Sequence, residues 1–290
     1  MKNQKQLLKD AFESLDEARV DSLLAQGADK SGRIRNEIMW KIHNNDQAPV
    51  LELLLKKGAN PNYRKDDESY LGRTWWNGYG FDHKLTKVLL ENGAKPDIRT
   101  IGSTPLIRTA ESIDEYGTSG LRFLRKYGAN VNAKNSYGMT PLLSIAAFNE
   151  IYDEDVFCDN TCWLTKPLVY LISEGADVNA RDKNGANALI HSYAQNANDY
   201  SWDTKEYKKR FERVFYYEIP TILMVYGADL RSKDKNGKTV FNYLDTDTKQ
   251  NYFTKAVIKS TNILMHRENI NKKIETRKLY QTIEINTNIK

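Results

Sequence analysis

The sequence predicts an all-α fold, a helical repeat solenoid of about seven helix-pair units with β-turn or hairpin tips. Three observations carry this. Gly-Ala pairs recur at Gly27, Gly58, Gly93, Gly128, Gly175 and Gly227, spaced by 31, 35, 35, 47 and 52 residues. Each pair closes an apolar run, such as Leu53-Leu54-Leu55 or Leu223-Met224-Val225. A helix ending needs a left-handed residue at that position. Helix-start residues then follow the third to sixth glycines by 11 to 12 residues, at Thr104, Thr140, Asn187 and Thr239. Such residues cap a helix, and Pro105 and Pro141 fit its first position, where a missing N–H costs nothing.

Asn130 to Ala147 shows the whole grammar: a helix end, a turn built from Asn135, Ser136 and Gly138, and a capped new helix. Here the chain resembles the ankyrin repeat family, whose unit of about 33 residues is a β-turn plus two helices with a Thr-Pro-Leu-His-x-Ala signature. Thr104-Pro105-Leu106 through Ala110 and Thr140-Pro141-Leu142 through Ala146 match it, with the His replaced. Asn187-Ala188-Leu189 and Thr239-Val240-Phe241 match less fully. Asp182-Lys183-Asn184-Gly185 and Asp234-Lys235-Asn236-Gly237 look like the family's turn. The resemblance covers roughly Gln6 to Ile258 and implies an extended concave face, made of turn tips and first helices, offered to partner proteins.

Composition is that of an ordinary globular chain, 40% hydrophobic and 28% charged over 290 residues. A single globule of that length is near its upper limit, which an array of neighbour-contacting units avoids. The net charge of +5 is small for the length and gives no reason to expect specific nucleic-acid binding. Met1 to Asp10 has no apolar core, so no signal peptide is expected, and no apolar run reaches the ~18 residues of a membrane span. Two cysteines argue against a disulfide scaffold and for a reducing cytoplasm. The Lys, Asn and Ile usage suits an AT-rich genome, as of a bacterium or parasite.

Taken in order, residues 1–35 form a degenerate N-terminal capping repeat, with Leu7, Leu8, Ala11 and Phe12 on one apolar face and Leu15, Val20, Leu23 and Leu24 on another. The array spans 36–258. Its second unit, from Asn36, places Ile38, Met39, Ile42 and His43 in a first helix and opens a second at Pro49. In the third, Trp75, Trp76 and Tyr79 crowd a Gly-rich stretch. They read either as rings patching a poorly formed helix or as an aromatic anchor for a partner.

The fifth and sixth units carry insertions between their helices, near 148–163 and 195–218. The first is acidic and holds Tyr152, Phe157, Cys158, Cys162 and Trp163. The two cysteines sit one helical turn apart, but a zinc site needs two further ligands that are not nearby. The second holds Tyr200 and Trp202, then an added helix with Tyr207, Phe211, Val214 and Phe215 on one side and basic residues on the other, running into Pro220. Pro167 and Pro220 suit a helix's first turn. The tail, 259–290, reads as a helix with a broken apolar stripe, either closing the array or, less suited by its mixed charge, lying on a membrane.

No nucleophile elbow, His-Glu-x-x-His or phosphate-binding Gly-Lys-Ser/Thr loop occurs, so no catalytic, metal or cofactor residue is assigned. The expectation is a cytoplasmic, monomeric, non-enzymatic scaffold for an unidentified partner protein. Two forms are weighed: a bacterial inhibitor or immunity-type protein, and a host-directed effector secreted without a classical signal peptide. Candidate partner-binding residues are Trp75, Trp76, Tyr79, Tyr137, Tyr152, Phe157, Trp163, Tyr200 and Trp202.

Overall fold

In a computed structural model of the chain, residues 3–74, 83–111, 117–147, 162–194 and 205–287 are described. They fall into two compact bodies, one of Met1–Ile145 with Ser173–Ala176, the other of Ala146–Ile172 with Asp177–Lys290.

The first body is built from helix pairs. They are α1 (Gln4–Glu13) with α2 (Glu17–Ala25), α3 (Arg33–Met39) with α4 (Ala48–Lys56), α5 (Tyr70–Arg73) with α6 (His83–Glu91), and α7 (Pro105–Glu111) with α8 (Gly117–Lys126). A two-stranded ribbon, β1 (Arg64–Lys65) against β2 (Glu68–Ser69), precedes α5, and α9 (Pro141–Ala146) opens the next repeat. Leu51, Leu54, Leu89, Leu106 and Leu142 are fully buried between these helices. The second body holds α10 (Cys162–Ser173), α11 (Ala188–Ala194), α12 (Lys205–Arg213), α13 (Ile219–Val225) and α14 (Asp247–Thr287), with Leu189, Phe211, Phe215 and Leu223 in its core.

Helix ends follow the Gly-Ala grammar. The six glycines have φ of 80–89°. The alanine N–H then returns to a leucine carbonyl five residues back: Ala28 to Leu23 (3.0 Å), Ala59 to Leu54 (2.9 Å), Ala94 to Leu89 (2.9 Å), Ala129 to Leu124 (3.1 Å) and Ala228 to Leu223 (2.9 Å). This is the Schellman closure, which satisfies carbonyls a helix end leaves open. Helix starts follow too. Thr104 Oγ1 accepts from Ile107 N (3.4 Å), Thr140 Oγ1 from Leu143 N (3.2 Å) and Asn187 Oδ1 from Ile190 N (3.0 Å). Thr239 and Asn242 cap the short 3₁₀ turn Val240–Tyr243 reciprocally.

Three local expectations are corrected. Helix α3 starts at Arg33 and ends at Met39, leaving Ile42 and His43 beyond it. Its cap comes from buried Asp29, whose carboxylate accepts from Ile34 N (3.0 Å) and Arg35 N (2.8 Å) and is held by Arg35 Nε (3.0 Å). Leu15 lies in the turn after α1, with φ 55° and nearly half its surface exposed, rather than on a buried face. Pro167 lies inside α10, which begins at Cys162, a turn earlier than the proline suggests. Helix α14 runs unbroken through Ile258 and Lys259 for 41 residues, roughly 60 Å.

Pro220 does open α13, but α12 runs into it through a π-helical turn, Val214–Glu218. A proline has no N–H for the carbonyl four residues back, here Tyr216. That carbonyl instead accepts from Tyr193 Oη (2.7 Å), and Phe215 O accepts from Ser192 Oγ, both donors on α11. Tyr193 also stacks on Tyr216, with centroids 5.9 Å apart and planes 10° off parallel.

Successive repeats are tied by asparagine side chains two residues past three of the six Gly-Ala-x triplets. In the first body Asn62 Nδ2 donates to Gly93 O (3.0 Å) while its Oδ1 accepts from Lys95 N (2.7 Å). Asn132 Nδ2 donates to Gly175 O (3.0 Å). In the second body Asn179 makes the same pair, to Gly227 O (3.0 Å) and from Asp229 N (2.7 Å).

Candidate protein-interaction site

The hairpin tips position the exposed side chains. In the first body three successive tips, Arg64–Ser69, Thr100–Ser103 and Asn135–Met139, are joined by backbone bonds, Ile101 N to Asp67 O (3.0 Å) and Ser136 N to Gly102 O (2.9 Å). The third is an Asx turn: Asn135 Oδ1 accepts from Tyr137 N (2.9 Å) and Met139 N (3.0 Å). The second is a two-residue hairpin closed by Thr100 N to Ser103 O (2.8 Å) and Ser103 N to Thr100 O (3.0 Å). Ile101 and Gly102 both have positive φ, 49° and 75°, the pattern of a type I′ turn.

Two large apolar side chains project from these tips, Ile101 at 53% exposure and Tyr137 at 73%. Beside Ile101 opens a cleft of about 460 Å³ lined by Trp40, Lys65, Asp66, Asp67, Glu68 and Ile101. Trp40 is braced by Tyr63, edge-on at 5.9 Å, and by Arg73, which donates to Trp40 O (2.7 Å) and stands 4.8 Å over its ring. Among the described residues Asp66, Asp67 and Glu68 form no ion pair.

The tips of the second body repeat the turn with aspartate. Asp182 Oδ1 accepts from Asn184 N and Ala186 N (both 2.8 Å), and Asp234 Oδ1 from Asn236 N (2.8 Å) and Lys238 N (2.9 Å). Lys235 N donates to Asn184 O (2.7 Å), joining the two. Asp234 Oδ2 accepts from Tyr243 Oη (2.7 Å), which holds this carboxyl below the usual carboxylate range. Burial, with Asp234 second, pushes the Tyr243 phenol up to about 12.

Of the aromatic residues singled out in sequence, Tyr137 is placed on this surface. Trp75, Trp76, Tyr79, Tyr152, Phe157, Tyr200 and Trp202 lie outside the described residues, as does Cys158. Trp163 falls in α10, with its side chain likewise outside them. Sequence reasoning missed Trp40, the Asp66–Glu68 turn and Ile101. The signal for Ile101 was present: Thr-Ile-Gly-Ser puts a β-branched residue where a two-residue hairpin asks for Asn or Asp before Gly.

Capped first helix, second helix ending in Gly-Ala, and hairpin tip repeat in register, and together they define the ankyrin repeat fold. No family model matches the chain. It is 28% identical over 179 residues to the ankyrin repeat protein L91 of Acanthamoeba polyphaga mimivirus, covering 58% of this chain and 24% of that one. It is 26% identical over 190 residues to the human SH3 and multiple ankyrin repeat domains protein 2, covering 65% of this chain. The chain thus spans about a quarter and about a twelfth of the lengths of these two relatives. Among solved structures, an ankyrin repeat domain from Acinetobacter baumannii AYE superposes with a TM-score of 0.56 at 19% identity, over 76% of this chain and 96% of that domain. The likeness to the ankyrin repeat family therefore holds in sequence and in fold. Proteins of this fold generally mediate contacts between proteins. No described helix is long and apolar enough to cross a membrane.

Proposed function

We propose that the chain is a non-enzymatic scaffold that grips a partner protein through its hairpin tips and the insertions near 148–163 and 195–218, in the manner of an inhibitor or immunity-type protein. The observation that carries this reading is the exposure of Ile101 and Tyr137 on adjacent, backbone-linked tips. Neither side chain is needed to stack the repeats. Large apolar residues displayed on a rigid support are what interface hot spots are made of. Trp75, Trp76, Tyr79, Tyr152, Phe157, Trp163, Tyr200 and Trp202 are proposed as further contacts of the same kind. The cytoplasm is the proposed compartment. Delivery to a host as an effector is the alternative setting for the same binding surface.

A photocrosslinking amino acid placed at Tyr137 tests the reading in cells that express the protein, with the same group at Ile258, 56% exposed on α14, as the control. A discrete protein adduct at 137 and none at 258 is expected. Equal labelling at both positions, or none at 137, would remove the tips from the binding surface. Loss of the captured partner's activity on adding the chain would mark an inhibitor, and unchanged activity an adaptor.

A further inference from the structure

We propose that the cleft between Trp40 and Ile101, lined also by Lys65, Asp66, Asp67 and Glu68, docks a partner segment in which a Lys or Arg stands beside an apolar residue. This deepens the protein-binding reading above and rests on it. The apolar residue lies against Ile101, and the cation enters between the carboxylates and the Trp40 ring.

The walls and the rim argue separately for that occupant. Ile101 sits at the tip with φ 49°, a left-handed backbone that disfavours an L-residue with a branched Cβ. It also leaves half its surface in water. The turn gains nothing from isoleucine, since its closing bonds and the link to Asp67 O all use backbone atoms. A partner that covers this side chain recovers the hydrophobic contribution it lacks in the free chain. At about 460 Å³ the cleft falls within the usual range for sites that enclose a ligand group.

The charge around the cleft selects the rest of the segment. Three carboxylates and one ammonium, Lys65, line it, although the whole chain carries +5. An acidic patch on a basic protein is a local exception, and complementary charge fixes which partner docks and in what register. Arg73, the cation already over the Trp40 ring, is tethered to Trp40 O and does not line the cleft. A guanidinium or ammonium on a flexible apolar stem matches both walls, its stem against Trp40 and Ile101 and its head at the carboxylates.

Random peptides displayed on phage are selected on the full chain and compared on Ile101→Asn. Enriched sequences are expected to carry Lys or Arg next to Leu, Ile, Phe or Trp. Synthetic copies are expected to bind at least about tenfold more weakly to Ile101→Asn and to Asp66→Asn/Asp67→Asn. Their affinity should fall between about 50 mM and about 500 mM salt, as screening shortens the reach of the carboxylates. The Ile101→Asn chain should itself melt higher than the native one, because Asn-Gly is the favoured type I′ pair. A lower melting point would show that Ile101 is there for the fold and would overturn the argument. Acidic or neutral peptides, or peptides that bind Ile101→Asn equally well, would overturn the cleft as the site and leave the scaffold reading standing. No enrichment on the full chain, joined with no adduct at position 137, would remove both.

Discussion

Gly72→Ala is the sharpest single test of how the third and fourth repeats fit together. A methyl group built on Gly72 comes within 2.6 Å of Thr100 Cγ2 and closer still to its Oγ1 and Cβ. Ordinary contact begins near 3.4 Å, so the whole Thr100 side chain must give way by about 1 Å. It has nowhere to turn: it is 7% exposed, and its hydroxyl is bonded by Ser69 N (3.2 Å) and by Ser69 Oγ. The Thr100–Ser103 tip must therefore move as a body, stretching Ile101 N to Asp67 O (3.0 Å). Overpacking of this kind costs ~1–3 kcal/mol and a spoiled buried hydrogen bond ~1–2 kcal/mol. Better helix propensity offsets ~1 kcal/mol. The expected net loss is ~2–3 kcal/mol, read from urea unfolding followed by circular dichroism. Thr100→Gly removes all three clashing atoms, so in that background Gly72→Ala should cost little. A loss under ~0.5 kcal/mol in the native background, the size of a surface substitution, would refute the close approach. So would the same loss in both backgrounds.

Two further outcomes follow from the second body. Tyr193→Phe removes the hydrogen bond to the Tyr216 carbonyl at the π-helical turn and should cost ~0.5–1.5 kcal/mol, the net worth of an intramolecular hydrogen bond; adding Pro220→Ala, which restores an N–H for that carbonyl, should return part of the loss. Burial first, and the Asp234 contact second, push the Tyr243 phenol up from its ordinary 10 to about 12, so its contribution should be complete below pH 10 and drain away as pH rises towards 12. Melting curves should fall across that window, and Tyr243→Phe should flatten its share of the fall; a tyrosinate absorbance titration showing Tyr243 ionising near 10 would contradict its burial against Asp234.

Much of this architecture was readable in the chain because the constraints are local. A left-handed glycine after an apolar run and a threonine or asparagine before the next are demands of a few consecutive peptide groups. The observed closures at Gly58, Gly93 and Gly128 and caps at Thr104 and Thr140 meet them. The misreadings arise where a distant group supplies what the local sequence lacks. Asp29 starts α3 early by reaching forward to Ile34 and Arg35. The candidate site was least legible of all. Trp40 and Asp66–Glu68 lie in different repeats, and only the folded hairpins bring them to one cleft with Ile101.

The asparagine ties between repeats have a consequence for how such a chain diversifies. The side-chain amides of Asn62, Asn132 and Asn179 each span 3.0 Å to the glycine carbonyl of the following repeat, while the partners stand 31, 43 and 48 positions apart in sequence. The bond is the same length whether the helices in between are joined by a short turn or by an insertion. Length inside a repeat is thereby uncoupled from the fit between repeats. New loops arising at these junctions meet selection on what they contact outside, without first being filtered for their effect on the stack. A lineage can lengthen, shorten or exchange them at the pace set by its partners, and the scaffold beneath keeps its register.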